Sequence, residues 1–170
     1  IISYIMVCVL FLSMCIPCEA AQTSTATASD ANATTGFPQI TSTSAIIMDA
    51  QSGQIIYEKN SHTRQYPASI TKIMTAYLAI KNGDLNSTIT MSDAAVWGID
   101  RNSSHIALDV GEEISMSDAL YAVMLMSANE AAWAIAEQVS GSLENFVQLM
   151  NDTAQSLGCK DTHFTNANGL

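Results

Sequence analysis

Two short β-rich runs followed by a block of helical segments constrain the fold of this chain more than any other feature. Residues 44–48 and 54–57 flank a glycine-bearing turn at 49–53, a pattern that predicts a β-hairpin. Apolar residues then recur at helical spacing, and the predicted helices are 69–83, 90–97, 115–126, 130–140 and 142–157. Strands that precede gathered helices indicate a mixed α/β domain of the α+β kind.

Local signals mark the ends of several of these helices. Ser115 is a predicted N-cap with Asp118 three residues later, and Gly141 and Gly158 stand where helices should end. The helix after Ser115 has a predicted apolar face, which consists of Met116, Leu120, Val123, Met124 and Met126. We expect its methionines to fill the core and not to form a cofactor site.

The first twenty residues predict a signal peptide. Residues 1–16 are almost wholly apolar, and the next four are a helix-breaking proline followed by Cys-Glu-Ala, with cleavage expected after Ala20. A membrane anchor is one alternative, but the apolar run is short of the roughly 20 residues that a span needs. A lipoprotein signal through Cys15 or Cys18 is the other.

The rest of the chain divides into a linker and a domain. Residues 21–43 are rich in Thr, Ala and Ser and predict a flexible linker. Residues 44–170 carry the predicted strands and helices. Because the chain begins at Ile1, without a methionine or a basic region before the apolar run, we expect an N-terminal truncation.

Composition and charge exclude several classes of function. The net charge is −10 and there is no basic stripe, so nucleic acid is not an expected partner. Three of the four cysteines fall in the leader, and Cys159 is predicted to be a small packed residue. No metal-ligand spacing is present, and His105 and His163 are predicted to be surface or packed residues.

Ser69 and Lys72 form a Ser-x-x-Lys pattern at the start of a predicted helix. A spacing of three places both side chains on one face, one turn apart. A serine hydroxyl needs a neighbouring base to become a good nucleophile, and burial lowers the pKa of a lysine amine so that it can be that base. The Ser69 backbone N–H would also be an oxyanion donor. Taken alone, the pattern favours a capping serine followed by an exposed lysine.

Ser127 and Asn129 form a second motif, Ser-x-Asn, between two predicted helices. Both residue types are common in a helix-to-helix turn, which is the structural alternative. However, Ser-x-x-Lys followed after a helical segment by Ser-x-Asn is the ordered signature of penicillin-binding enzymes and serine β-lactamases.

The sequence around both motifs resembles that of D-alanyl-D-alanine carboxypeptidases, the low-molecular-weight penicillin-binding proteins of serine peptidase family S11. The resembling stretches are 57–60, 67–72, 117–121, 126–132, 162–166 and 169–170. The resemblance implies a β-lactamase/penicillin-binding-protein-like serine transpeptidase fold, incomplete in this chain. It also implies secretion to the cell-wall side of the bacterial membrane.

The resemblance implies a mechanism and partners. Ser69 would attack the bond between the two terminal D-alanines of a peptidoglycan stem peptide, and Lys72 would take its proton. Ser127 would pass that proton to the departing D-alanine, and Asn129 would hold the substrate backbone. β-Lactam antibiotics would acylate the same serine, and no cofactor is expected.

The resemblance also has a limit. The family places a Lys-Thr/Ser-Gly strand later in the chain, and no such triplet follows Ser127. We therefore expect an N-terminal fragment, inactive alone, with an exposed apolar face or sheet edge where the missing part of the domain would pack. Membrane association would come from a C-terminal helix that family members often carry. The alternatives are a serine β-lactamase, disfavoured because no Glu follows Glu144, and a non-catalytic wall-binding relative.

Overall fold

The structure is a computed structural model that describes residues 39–170. The predicted signal peptide and most of the predicted linker lie outside the described residues. The described residues divide into two compact units, with the boundary between Thr63 and Arg64. Within residues 39–170, no helix has the length and apolar character needed to cross a membrane.

The first unit contains the predicted hairpin, which is confirmed. Strand β1 (Ala45–Met48) pairs antiparallel with β2 (Ile55–Lys59), with an irregularity in the register after Ile47. The turn is closed by the Asp49 carboxylate, which accepts the Ser52 backbone N–H at 2.7 Å. A short acidic side chain that bonds the backbone two or three residues later is a common way to build such a turn.

The second unit is mainly helical. A 3₁₀ turn (Ala68–Thr71) leads directly into α1. The helices are α1 (Lys72–Asn82), α2 (Asp93–Trp97), α3 (Met116–Met126), α4 (Asn129–Ser140) and α5 (Leu143–Ser156). Two short strands that the sequence did not predict, β3 (Thr88–Thr90) and β4 (Glu113–Ser115), form a small antiparallel sheet.

Helix α4 lies at the centre of this unit and packs against the other four helices. Its buried apolar side chains are mostly alanines, namely Ala131, Ala132, Ala134 and Ala136. Small side chains let neighbouring helix backbones approach closely, and larger core residues fill the remaining space. The largest of these fully buried side chains include Leu78, Met91, Met116, Phe146 and Met150.

Three predictions about burial and helix bounds are wrong. Met124 and Met126 were expected in the core but are 53% and 61% exposed, and Ala119 and Ala122 occupy the buried face of α3 instead. Cys159 is exposed and not packed. The helix expected over 90–97 begins only at Asp93, because the residues before it pair in β3.

Helix α1 has two contrasting faces. Lys72, Thr75, Ala76, Leu78 and Ala79 are buried on one side. The other side, together with the turn before it, exposes a stripe at helical spacing that consists of Ile70, Ile73, Tyr77 and Ile80. An exposed apolar face therefore lies along the helix that follows Ser69.

Candidate active site

Ser69 lies in the 3₁₀ turn immediately before α1, one turn earlier than the regular helix begins. The residue before it, Ala68, has a backbone φ of 49°, in the left-handed region that non-glycine residues rarely adopt. Ser69 itself is exposed. The turn thus presents a serine hydroxyl at the surface while the following residues enter the core.

Lys72 is the first residue of α1 and is only 2% exposed. Its Nζ lies 3.1 Å from Ser69 Oγ and donates to the Asn168 carbonyl oxygen at 2.8 Å. Burial in the helix packing lowers the pKa of the Lys72 amine from its ordinary value, because the charged form loses hydration. The sequence expectation that Ser69 and Lys72 share one face is confirmed.

Ser127 approaches Ser69 from the end of a different helix. It ends α3 with a φ of 55°, again in the left-handed region. Its Oγ lies 2.9 Å from Ser69 Oγ. The Ser69 hydroxyl oxygen is therefore in hydrogen-bond contact with both an amine and a second hydroxyl, although the three residues come from two separate helix ends.

This arrangement can move a proton without a histidine. The Asn168 carbonyl can only accept, so it takes one Lys72 N–H whether the amine is charged or neutral. When Lys72 is neutral, its lone pair is the only acceptor on that nitrogen, and Ser69 Oγ is within reach of it. Lys72 can then act as a general base toward Ser69.

The segment that ends at Leu170 supports the site, and the sequence reasoning did not assign it this role. Thr75 Oγ1 donates to the Ala167 carbonyl at 2.6 Å. The Asn166 side chain accepts the Asn168 and Gly169 backbone N–H groups at 3.1 and 2.6 Å. This segment lies close enough to Ala68 that a Cβ added to Gly169 would be 1.9 Å from the Ala68 carbonyl oxygen.

Asn129, the fourth predicted site residue, bonds elsewhere. It is 2% exposed at the start of α4, and its Nδ2 donates to Ser103 Oγ at 2.9 Å. Its backbone N–H donates to the Ser104 carbonyl at 3.0 Å. The next residue, Glu130, is fully buried and accepts the Ile106 backbone N–H at 2.7 Å. Asn129 is thus tied to a loop that the sequence analysis did not single out.

The histidines take no part in this cluster. His105 Nε2 lies 3.2 Å from the Arg101 carbonyl oxygen, and its Nδ1 accepts the Ala107 N–H at 3.0 Å, so the ring shapes its own loop. His163 is exposed. Among residues 39–170 there is no group of three or more His, Cys, Asp or Glu side chains that could hold a metal ion.

Comparison with known proteins agrees with the two motifs. A family model described as D-alanyl-D-alanine carboxypeptidase, peptidase S11, matches residues 29–170. The chain belongs to this family. The D-alanyl-D-alanine carboxypeptidase DacA of Haemophilus influenzae is 42% identical to it over 141 residues, which cover 78% of this chain and 35% of DacA.

Solved structures establish the fold of this carboxypeptidase family member. Penicillin-binding protein 5 from Haemophilus influenzae matches with a TM-score of 0.73 and 39% identity, over 78% of this chain and 40% of that one. A point mutant of the Streptomyces K15 DD-transpeptidase matches with a TM-score of 0.73 and 31% identity, over 78% and 55%. The predicted penicillin-binding-protein-like fold is confirmed over the matched part. The chain spans about a third of the length of its curated relatives.

Proposed function

We propose that the protein is a serine-type D-Ala-D-Ala carboxypeptidase that removes the terminal D-alanine from peptidoglycan stem peptides. The observation that carries the proposal is the shared contact on Ser69 Oγ, with Lys72 Nζ at 3.1 Å and Ser127 Oγ at 2.9 Å. An amine base and a second hydroxyl on one serine oxygen form an activated nucleophile.

The first half of the reaction forms an acyl-enzyme. Ser69 Oγ attacks the carbonyl carbon of the penultimate D-alanine, and its proton passes to neutral Lys72. The C–N bond to the terminal D-alanine then breaks, while Ser127 relays the proton from Lys72 to the departing amine. Free D-alanine leaves, and the shortened peptide stays esterified to Ser69. The Ser69 backbone N–H is one donor to the transient oxyanion.

The second half restores the enzyme. A water molecule attacks the ester carbonyl as Lys72 takes its proton, and the bond to Ser69 Oγ breaks as that oxygen regains a proton. In this proposal, the Lys-Thr/Ser-Gly strand of the family binds the substrate carboxylate and supplies the second oxyanion donor. In the family, that strand follows the Ser-x-Asn motif. The predicted signal peptide supports a reaction on the cell-wall side of the membrane.

β-Lactams are the proposed inhibitors of the same serine. The strained lactam amide mimics the D-Ala-D-Ala peptide bond. After the ring opens, the leaving group stays attached to the acyl-enzyme and obstructs the water that would hydrolyse it. A β-lactamase needs fast deacylation, for which class A enzymes use a glutamate after Ser-x-Asn. Residues 145–170, the region that corresponds to this loop, contain no Glu, and we therefore expect the penicillin adduct to persist.

The test is intact-protein mass spectrometry of the full-length protein after incubation with benzylpenicillin. Wild type should gain the mass of one penicillin, and Ser69→Ala should gain none because the attacking oxygen is gone. Lys72→Ala should label about 10²–10⁴-fold more slowly, which is the usual contribution of a general base. The same variants should fail to release D-alanine from a peptide that ends in D-Ala-D-Ala.

The matched control is Lys81→Ala, which removes an exposed lysine from the last turn of the same helix. It should label at the wild-type rate. Undiminished labelling of Ser69→Ala, or a folded wild type that takes up no penicillin, would remove Ser69 as the nucleophile.

A further inference from the structure

Lys72 has a second partner that holds its amine beside Ser69. A lysine side chain is a flexible stem with a rotatable nitrogen group at its end, so one contact alone does not fix that group. Lys72 Nζ donates to the Asn168 carbonyl oxygen at 2.8 Å while it lies 3.1 Å from Ser69 Oγ. The place of the Asn168 carbonyl therefore bears directly on where the amine lies relative to the serine oxygen.

Thr75 bonds the carbonyl next to that one. Its Oγ1 donates to the Ala167 carbonyl oxygen at 2.6 Å, and its side chain is fully buried. Thr75 follows Lys72 by three residues in α1, so the two side chains lie on the same face, one turn apart. Two consecutive carbonyls, those of Ala167 and Asn168, are thus held by two consecutive turns of one helix face.

The Thr75 hydroxyl is committed to this long-range contact. A threonine within a helix commonly donates its hydroxyl to a carbonyl three or four residues earlier in the same helix. A hydroxyl has a single proton, and that of Thr75 is used on a residue 92 positions later in the chain. The bond therefore joins α1 to the segment 166–170 and adds nothing to the hydrogen bonding of the helix itself.

The segment 166–170 is closed on itself by hydrogen bonds. Asn166 Oδ1 accepts the backbone N–H groups of Asn168 and Gly169 at 3.1 and 2.6 Å. The Nδ2 of the same side chain donates to the Leu170 carbonyl at 2.6 Å. Because these bonds tie the residues of the segment together, a bond to the Ala167 carbonyl also fixes the carbonyl that follows it.

We propose that Thr75 is a positioning residue for the Lys72 base. Its hydroxyl anchors the Ala167 carbonyl, and this anchor keeps the Asn168 carbonyl where it directs the Lys72 amine to Ser69. The inference rests on the proposed function, in which Lys72 is the general base. Thr75 is fully buried, so it acts through Lys72 and not by contact with the substrate.

The first test removes the hydroxyl and keeps the shape of the side chain. The acylation rate constant of Ser69 by benzylpenicillin is measured on full-length Thr75→Val, by intact-protein mass spectrometry over time. A misplacement of about 1 Å at a reacting centre can cost about 10²-fold in rate. Ala167 would still pack in the core cluster of Leu78, Phe146 and Met150, so the displacement should be smaller than that. We therefore expect acylation to slow by about tenfold.

A double-mutant cycle asks whether the effect passes through Lys72. The Thr75→Val substitution is repeated in the Lys72→Ala background, in which acylation should already be about 10²–10⁴-fold slower. A residue that acts only by placing Lys72 has nothing left to place there, so the second substitution should not change the rate further. A merely structural role would slow acylation by the same factor in both backgrounds.

Three more variants complete the test. Thr75→Ser keeps the hydroxyl donor and should acylate at the wild-type rate. Thr75→Cys has a weak donor and should acylate more slowly than wild type, and it replaces Thr75→Val if that variant does not fold. Thr153→Val is the matched control, since it makes the same change at another buried threonine, in α5, and it should acylate at the wild-type rate.

The outcomes distinguish the two proposals. A wild-type rate for folded Thr75→Val, or a Thr75→Ser variant as slow as Thr75→Val, would overturn the inference while the proposed function stands. Equal slowing by Thr75→Val in both backgrounds would also overturn it. If Lys72→Ala acylates as fast as wild type, or wild type is not acylated at Ser69, the proposed function fails, and the role of Thr75 fails with it.

Discussion

Gly169→Ala should damage the site although residue 169 carries no reacting group. The added Cβ would lie 1.9 Å from the Ala68 carbonyl oxygen, and both the obstructing atom and the glycine belong to backbone that cannot rotate away. Real Cβ atoms essentially never come closer than 3.0 Å to such an atom, so the two segments must separate by about 1.1 Å. Ala68 precedes Ser69, and Asn168 is the carbonyl partner of Lys72.

The size of the effect follows from that displacement. The Lys72 Nζ to Asn168 oxygen distance is 2.8 Å, and a shift of about 1 Å along it would end the hydrogen bond. A misplacement of about 1 Å at a reacting centre can cost about 10²-fold in rate. We therefore expect Gly169→Ala to slow acylation of Ser69 by benzylpenicillin about 100-fold.

Gly158→Ala provides the matched control. Gly158 has a φ of 83° and Gly169 one of 85°, so alanine meets the same backbone penalty at both positions, about 1–2 kcal/mol. At Gly158 the added Cβ would meet no heavy atom of the described chain within 4 Å. The difference in rate between the two variants therefore isolates the contact with Ala68.

The assay is the acylation rate of the full-length protein, measured beside a thermal melt of each variant. Gly158→Ala should melt lower than wild type but acylate at the wild-type rate. Gly169→Ala should show both defects. Equal acylation rates in the two folded variants would refute the argument that Gly169 is required by its approach to Ala68.

Two further predictions concern buried ionisable groups. Because burial lowers the pKa of Lys72 below its ordinary 10.5, acylation should accelerate as pH rises through that lowered pKa. Between the lowered pKa of Lys72 in the folded state and its ordinary value in the unfolded chain, the unfolded chain binds more protons, so the unfolding free energy should rise with pH. The Lys72→Met variant should lose this rise. Denaturant titrations at several pH values that gave the same pH dependence of the unfolding free energy for both proteins would contradict this. Glu130→Gln keeps an acceptor for the Ile106 N–H and should change stability little, whereas Glu130→Leu should cost about 1–3 kcal/mol. Equal denaturation midpoints for the two Glu130 variants would count against that bond.

The starts of α3 and α5 were predictable because their signals are local. Ser115 and Ser142 each accept a backbone N–H from the residue three positions later, at 3.0 and 3.1 Å. A capping serine and the N–H that it satisfies lie within one turn, so the sequence contains the whole interaction. The bounds of α3 and α5 accordingly lie close to their predicted values.

The small sheet and the buried face of α3 depend on partners far along the chain. Strand β3 has three residues, and it exists because Thr88 pairs with Ser115, which is distant in sequence. Met124 is more hydrophobic than Ala119, yet Ala119 is buried. The alanine-rich surface of α4 favours close backbone approach, and hydrophobicity alone does not reveal that requirement.

The candidate site likewise contains residues that the sequence predicts and residues that it does not. The Ser-x-x-Lys and Ser-x-Asn spacings predicted that Ser69, Lys72 and Ser127 would meet, and their polar atoms lie within 3.1 Å of the Ser69 oxygen. The Asn168 carbonyl and the Thr75 hydroxyl were not predicted. A backbone carbonyl has no sequence signature, and a helical threonine acquires such a contact only from the segment that packs beside it.

The left-handed backbone at Ala68 and Ser127 also bears on how this protein can be engineered. Non-glycine residues there cost about 1–2 kcal/mol each, against a total stability of about 5–15 kcal/mol for a typical domain. Glycine would relieve the cost at either position. At Ala68 nothing but a methyl group would be lost, whereas at Ser127 relief would remove the hydroxyl beside Ser69. Heat tolerance and the proposed activity are therefore separable goals at Ala68 and opposed goals at Ser127.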